Sequence, residues 1–397
     1  MLTYLPFLMI LIIFGVVAGL GFYDRKKKRS ITNHPSVSFM VPCYNDSGSV
    51  GQTLESIYEM IGPDANVIVI DDCSTDGSRE KLTALKERFG FKLILNSVNL
   101  GKSSTLNDNF HHIKDEIVAF VDADVVANRQ SFIDALTRLQ RPDVGAVSCP
   151  YRSLNRGFLP LMQTIEYNML TFIQGAYNVY SAIRLWGGFI LIKRKVFEKV
   201  GGFTLNAITE DMDMAFKINK LGWRVEQSFY PIYTFVPDTI RQWLKQKMRW
   251  SAGGFQCLIR YHDVWLKNPL HLFFIFSFCL LSIFSTLKMG KNIVIWDTVF
   301  DFFNGLNRYQ SLWFSAKYTG LFYGTILLKD LAIRLAFTLL SLPFVLPLIS
   351  TINRIYFCFM VIPFSILYIP FFTVISIVGV FSFLRKSRLL RFSTRGW

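Results

Sequence analysis

Two carboxylates separated by a single residue, Asp122 and Asp124, close the apolar run Ile117–Val121. In an extended strand the side chains of residues i and i+2 project from one face. Like charges held side by side repel unless a cation joins them, and a hard divalent cation bridging to a diphosphate is the natural partner. The plainer alternative is a pair of solvated turn acids. A second acidic pair, Asp71-Asp72, ends the run Asn66–Ile70 in VIVIDDCSTDGS. A carboxylate there can accept from a nucleobase N–H or a ribose hydroxyl. The competing reading is a turn and helix cap, because Ser74, Asp76 and Gly77 are turn formers.

Four further groups carry weaker signals of their own. In Pro42-Cys43-Tyr44-Asn45-Asp46, Tyr44 offers a stacking face and Asp46 an acceptor. In Asn99-Leu100-Gly101-Lys102, a glycine at a helix start lets backbone N–H groups approach an anion, and Lys102 adds charge. The spacing is not that of a P-loop. Thr209-Glu210-Asp211 opens the periodic segment MDMAFKINKLGW. Thr209 suits an N-cap, and acids in a first turn suit the helix dipole. One of the two acids could also be a general base for a hydroxyl. Gln246, Arg249 and Trp250 stand at i, i+3 and i+4 of a helical pattern, so one face presents an amide, a guanidinium and an indole. Arginine suits a developing diphosphate charge, and tryptophan suits the apolar face of a sugar ring. Lys245 and Lys247 suit a different reading, an amphipathic helix on a membrane surface.

The elements that must position these groups alternate. Val37–Val41 reads as a short strand ended by Pro42, followed by a helix over Val50–Met60. Asn66–Ile70, Lys92–Leu95, Ile117–Val121 and Gly145–Cys149 read as strands, with helices at Ser78–Phe89, from Ser103, and at Ser131–Gln140. Repeated βαβ units imply a mostly parallel sheet with helices on both faces. Ligands in such sheets bind beyond the C-terminal ends of the strands, where these motifs fall. His111-His112 occupies adjacent helix positions, which do not face one site, so a solvated surface is expected rather than a metal site.

Composition sets the flanks. The chain has 397 residues, 51% of them hydrophobic, with 38 Phe. The apolar excess sits before about residue 23 and after about residue 269. Leu5–Phe22 carries no charge and is long enough to cross a bilayer. The basic block Arg25–Arg29 follows it rather than preceding it, which disfavours a cleaved signal peptide and keeps that end of the domain on the cytoplasmic side. Leu270–Leu287, Leu335–Ser350 and Tyr356–Leu384 are further apolar runs, and Leu312–Leu328, with Lys317 inside, is a weaker one. Three to four C-terminal spans are expected, four of them returning the basic tail to the cytoplasm. The expected organisation is a transmembrane helix over 1–23, a cytoplasmic domain over 24–268 and a membrane region over 269–397. Much of the formal charge of +15 is juxtamembrane. That points to lipid headgroups rather than nucleic acid. Six cysteines with no CxxC pair are expected to be free thiols.

The order of the motifs says more than any one of them. PCYND, DDCSTDGS, NLGK, DAD, TED and QKMRW resemble, in that order, the processive, membrane-integrated family 2 glycosyltransferases. These include cellulose, chitin, hyaluronan and poly-N-acetylglucosamine synthases. The resemblance runs from residue 36 to about 254. It implies an α/β GT-A-like domain with transmembrane α-helices, and inverting transfer from a nucleotide-diphospho-sugar. By position, Tyr44, Asp46, Asp71 and Asp72 would hold base and ribose, and Lys102 would reach the diphosphate. Asp122 would contact the donor, and Asp124 would ligate Mg2+ or Mn2+. Asp211 would be the base, with Glu210 beside it in the substrate site. Gln246 and Arg249 would steady the leaving diphosphate, and Trp250 would support the acceptor sugar. The wording ITEDMD, PDTIRQWLKQKMRW and SAGG is nearest to the poly-N-acetylglucosamine synthases, which makes UDP-N-acetylglucosamine the expected donor. Trp186-Gly187-Gly188-Phe189 stands where a Ser-Gly pair is more usual. The expected partners are that donor, a saccharide or lipid-linked acceptor, and membrane lipids. One rival is a lipid glycosyltransferase adding a single sugar to a polyprenyl phosphate or glycolipid. Another is a transporter or scaffold whose acids are only turns and caps.

Overall fold

In the computed structural model of the chain, the described residues are 35–178, 181–182 and 184–267, with single positions 16, 19, 20, 23, 272, 378–380, 382 and 383. The chain divides into two compact units. One comprises Met1–Val16 with Leu266–Pro370; the other comprises Val17–Trp265 with Phe371–Trp397 and holds everything below. The expected membrane spans and both basic blocks lie outside the described residues except for isolated positions. Among the described residues, no helix is long and apolar enough to cross a membrane.

In chain order the elements are β1 (Val37–Cys43), α1 (Val50–Ile61), β2 (Asn66–Asp71), α2 (Ser78–Phe89), β3 (Lys92–Leu95), α3 (Lys102–Asn109), a 3-10 turn (Phe110–His112), β4 (Ile117–Val121), β5 (Val125–Val126), α4 (Arg129–Leu139), β6 (Val144–Ser148), β7 (Tyr151–Ser153), α5 (Phe158–Tyr177), β8 (Phe189–Lys193), α6 (Arg194–Val200), α7 (Glu210–Lys220), β9 (Arg224–Gln227), β10 (Ile232–Thr234), α8 (Ile240–Arg260) and α9 (His262–Trp265). Seven strands form one sheet in the order β3-β2-β1-β4-β8-β6-β9, and β5-β10-β7 form a second, smaller sheet. In the large sheet only β8 runs antiparallel to its neighbours. The other strands therefore end on one edge, and β8 begins there.

Alternation along the strands fills a core on each side of the large sheet. Phe39 and Val41 of β1 join Leu54 and Ile57 of α1, Leu82 of α2 and Leu136 of α4. Met40, pointing the other way, joins Phe120, Leu106 of α3, Phe197 of α6 and Met214 of α7. Both faces are covered, so the central strands are apolar at nearly every position.

Two expectations change. Pro42 does not end β1; the strand continues to Cys43 and pairs Pro42 with Ile70 of β2. Pairing with β4 stops at Met40, so the ring lies beyond the doubly paired stretch, where a missing donor is tolerated. The histidine pair lies in a single 3-10 turn, not an α-helix, with His112 Nδ1 2.9 Å from Lys92 Nζ. The second sheet has no counterpart in the sequence pattern, because strands of two or three residues leave too few positions for a period.

Candidate active site

The strand order reverses beside β1: β2 and β3 lie on one side of it, and β4 on the other. At such a switch point the loops leaving adjacent strands diverge and open a crevice. The loop after β1 carries Tyr44, Asn45 and Asp46, and the loop after β4 carries Asp122 and Asp124.

The loops after β1 and β2 are stitched together by side chains. Asn45 N–H donates to Ser74 Oγ (3.0 Å), Thr75 N–H donates to Asn45 Oδ1 (2.8 Å), and Asp46 N–H donates to Ser78 Oγ (2.9 Å). Ser47 N–H donates to Asp76 Oδ2 at 3.0 Å. Asn45 and Cys73 are the two non-glycine residues with left-handed φ among the described residues, at 59° and 66°. Backbone held in that region is strained and persists only where its surroundings fix it.

Asp71 and Asp72 are buried and both fully engaged. Asp71 Oδ2 accepts from Arg79 Nε (3.0 Å) and Nη2 (2.8 Å). Asp72 accepts from Asn96 Nδ2 (2.8 Å) and from the backbone N–H groups of Leu100 (3.0 Å) and Gly101 (2.7 Å). Asp72 thus fixes the turn that presents Lys102. Gly101 has φ of 82° there, which explains the glycine of NLGK.

A cavity of about 520 Å³ opens at this edge. Lys102, Asp122, Asp124, Glu210, Asp211, Gln246, Arg249 and Trp250 all line it. Tyr44, Asp71 and Asp72 do not, and Asp46 stands close enough for its charge to act on Asp124. Lys102 Nζ lies 2.5 Å from Asp122 Oδ1 and 3.1 Å from Glu210 Oε1. Burial would discharge this ammonium, but the two carboxylates more than offset that and hold it charged. Glu210, half-buried, is kept below the usual carboxylate range by Lys102 and Arg249. Its part is therefore an ion pair as well as a first-turn acid.

The remaining acids are under-compensated. Asp124 is pushed up to about 7 by burial, then by the charges of Asp122 and Asp46. Its hydrogen-bond partner among the described residues is the Thr234 hydroxyl of β10, at 3.2 Å. Burial raises Asp46 to about 6, with Asp122 and Asp76 adding to it. Among the described residues, no group of three His, Cys, Asp or Glu side chains could hold a metal by itself. A half-buried carboxylate lacking a cation, with Asp122 two residues away, still fits a divalent ion whose other oxygens come from a diphosphate and water.

Asp211 sits in a seat cut for it. A Cβ on Gly187 would lie 3.0 Å from Asp211 Oδ2 and 3.4 Å from its Cγ, so the carboxylate occupies space that any side chain would crowd. Gly188 is needed for a different reason: a Cβ there would lie 2.8 Å from the Tyr151 ring, and its N–H donates to the Tyr151 hydroxyl at 2.5 Å. Burial and the neighbouring Glu210 raise Asp211 to about 6, with Arg184 opposing them. Thr209 holds the N-cap position of α7 without a side-chain cap bond. Gly253 of α8, from the SAGG segment, lets that helix close on it: a Cβ there would meet Thr209 Oγ1 at 2.5 Å. Asp213 completes the clamp, accepting from Arg260 Nη1 at 2.7 Å and the Tyr261 hydroxyl at 3.0 Å.

On α8 the expected face forms. Gln246 Oε1 is buried with no hydrogen-bond partner, and Arg249 is exposed on the cavity wall. Lys245 is exposed, but Lys247 is not the surface lysine expected: it is fully buried and lies 2.9 and 2.8 Å from the two carboxylate oxygens of Glu166 on α5. A charge without such a partner would not stay buried, and nothing in the sequence links positions so far apart. Lys247 Nζ also lies 4.2 Å from the Trp250 ring centroid, and the Arg184 guanidinium lies 5.3 Å from it and 4.8 Å from Trp186. Tyr151, Tyr167 and Arg184 thus line the cavity without being found by motif reading, and the buried Lys247–Glu166 pair lies behind them. Only the unusual WGGF segment hinted at crowding there.

Comparisons with known proteins bear on the domain that carries these residues. Residues 38–201 match the family model described as Glycosyl transferase family 2. The chain carries a family 2 glycosyltransferase domain, and with it the class of an enzyme. The match ends before α7 and α8. A poly-beta-1,6-N-acetyl-D-glucosamine synthase of Staphylococcus epidermidis is 31% identical over 234 residues, covering 58% of this chain and 56% of that protein. A second from the same species is 30% identical over 267 residues, covering 64% of each. The chain thus spans less than two thirds of the length of these relatives. Among solved structures, a mannosyltransferase from Pyrobaculum calidifontis, in complex with GDP-Man and Mn2+, aligns over 96% of both chains with a TM-score of 0.56 and 20% identity. That likeness is one of fold, and the α/β architecture is GT-A-like.

Proposed function

We propose that this enzyme transfers a sugar from a nucleotide-diphospho-sugar, UDP-N-acetylglucosamine, to a hydroxyl of a growing saccharide at a membrane, with inversion at the anomeric carbon. One observation carries the reading. A half-buried carboxylate raised to about 6, Asp211, shares a cavity with the Lys102–Asp122–Glu210 cluster and the Arg249 guanidinium. The names of the staphylococcal relatives support the sugar.

A hydroxyl is a poor nucleophile at neutral pH and needs a base. Asp211 takes the hydroxyl proton as the oxygen forms its bond to the anomeric carbon. The bond from that carbon to the diphosphate oxygen breaks, and the nucleoside diphosphate leaves with the electron pair. Arg249 meets the charge that grows on it, and the unfilled Gln246 Oε1 accepts a substrate N–H or O–H. Asp124, with Asp122 beside it, would hold Mg2+ or Mn2+, which neutralises diphosphate charge when bound. The Mn2+ of the Pyrobaculum calidifontis mannosyltransferase complex supports such an ion. Tyr44, Asp46, Asp71 and Asp72 serve the nucleoside end, the last two chiefly by holding their loops in place. Trp250 supports the acceptor sugar.

The apolar flanks and their basic borders, Arg25–Arg29 before the domain and Arg385–Arg395 after it, support an integral membrane protein with residues 24–268 in the cytoplasm. A cysteine placed near Lys81 should resist an impermeant reagent applied outside intact cells; labelling from outside would reverse the topology. The activity is tested by incubating the purified chain in nanodiscs with labelled nucleotide sugars and Mn2+. Nucleoside diphosphate release with UDP-N-acetylglucosamine, and a ladder of products, is the expected result. Release without any transfer product, or release only with another donor, would overturn the substrate assignment.

A further inference from the structure

The cations around the cavity are not equally committed. Lys102 is held by Asp122 and Glu210. Arg249 and Arg184 line the same cavity, and neither makes a side-chain hydrogen bond or ion pair among the described residues. The two guanidiniums address different acids: Arg249 acts on Asp122 and Glu210, and Arg184 acts on Asp211. The expected motifs account for Arg249. They leave Arg184 without a task.

Its setting narrows what that task can be. The guanidinium lies 4.8 Å from the Trp186 ring centroid and 5.3 Å from that of Trp250. Trp186 is itself fixed, donating from Nε1 to Gln227 Oε1 at 2.7 Å. Stacking uses the faces of a guanidinium and leaves its in-plane N–H edge for hydrogen bonds. Arg184 is not the salt-bridge partner of Asp211, since no ion pair joins them and Asp211 stays raised to about 6. A neutral sugar is served by an indole and an amide and has no need of a planar fork. Phosphate fits that fork.

We propose that Arg184 is an anion-binding residue on the acceptor side of the cavity, receiving phosphate oxygens carried by the acceptor, such as those of a phosphate-linked lipid carrier, beside Asp211. This rests on the reading of Asp211 as the base that meets the acceptor hydroxyl. The same chemistry has a second source, the diphosphate of the donor, and a binding experiment separates the two.

The full chain in nanodiscs is titrated calorimetrically with farnesyl phosphate, with farnesol, and with UDP in Mn2+. Wild type should favour farnesyl phosphate over farnesol. Arg184→Gln should weaken farnesyl phosphate about tenfold or more, the scale of one charge-assisted hydrogen bond, while UDP affinity stays within about twofold. Arg184→Lys, which keeps the charge and the stack but not the fork, should fall between the two and guards against a folding defect in the first variant. If Arg184→Gln weakens UDP instead and leaves farnesyl phosphate unchanged, the anion belongs to the donor and the acceptor-side assignment is overturned. If wild type shows no preference for phosphate over alcohol, or neither variant changes it, the inference fails outright. Wild-type UDP binding gauges the donor reading separately: its absence would sink that reading, while the phosphate preference is still read on the same sample.

Discussion

Two pairs of acids end the two strands that flank β1 in one sheet, and the protein treats them in opposite ways. Asp71 and Asp72, at the end of β2, have their charge met by Arg79, Asn96 and two backbone N–H groups. Asp122 and Asp124, at the end of β4, have one lysine between them, shared with Glu210, and a single hydroxyl. Asp71 and Asp72 are fully buried and fully met, whereas Asp122 and Asp124 are half-buried and left short of partners. A satisfied carboxylate builds a loop. An unsatisfied one keeps capacity for a ligand, and its raised proton affinity marks where a cation or a substrate proton is wanted.

The sharpest way to break this contrast is to remove what Asp124 lacks. EDTA, or Asp124→Asn in a protein that remains folded by circular dichroism, should abolish transfer. Full activity in EDTA would mean that the uncompensated charge at β4 has no cation to bind.

Next in size is Asp211→Asn, which keeps the shape and removes the proton acceptor. Turnover should fall about 10²–10⁴-fold with nucleotide affinity retained by calorimetry. The same group sets a pH limb. A base must be deprotonated to act, so kcat/KM of the wild type should fall as pH drops below about 6 and level off above it. Asp46 is also raised to about 6, so the parallel profile of Asp46→Asn should retain the limb. If Asp211→Asn turns over near the wild-type rate, or loses nucleotide as badly as transfer, the base lies elsewhere.

Gly187→Ala perturbs the seat and not the acid. The new Cβ would sit 3.0 Å from Asp211 Oδ2, and a misplaced base should lower kcat by about 10-fold to 10²-fold. Donor Kd and thermal midpoint should hardly move. An unchanged kcat would show that the carboxylate has room to spare.

The smallest catalytic effect of direct charge loss is expected at Asp72. Asp72→Ala strands the Leu100 and Gly101 N–H groups and the Asn96 amide, and should cost about 1–3 kcal/mol of stability, read from denaturant unfolding. If stability holds and only nucleotide binding is lost, Asp72 belongs with the ligand-directed acids and the contrast fails.

The fold was largely legible because burial on both faces leaves a strong mark. The runs at β2 and β4 are apolar throughout, and α2, β3 and β4 fall where the pattern puts them. The DAD, TED and QKMRW residues were legible because chemistry dictates their type. Other features left no local trace. β8 enters the sheet against its neighbours, and the second sheet is too short for a period. Lys247 reads as a surface lysine by its charge until Glu166, far off in sequence, supplies its partner. Arg184 carries no motif and becomes visible only through two indoles that the fold brings to it.

The sequence by itself determined the alternation that builds the sheet, the glycines at forced turns such as Gly101, and the acids and cations available at the strand ends. These follow from local sterics and from the free energy of burying apolar side chains, both written residue by residue. Only the tertiary structure decided which acids are spent on the protein and which are kept for a ligand. That choice depends on partners separated widely along the chain, Asp72 with Gly101, Lys102 with Glu210, Gly187 with Asp211. The proton affinity of a buried carboxylate is set by the charges and donors packed around it, and no single segment of the chain contains them.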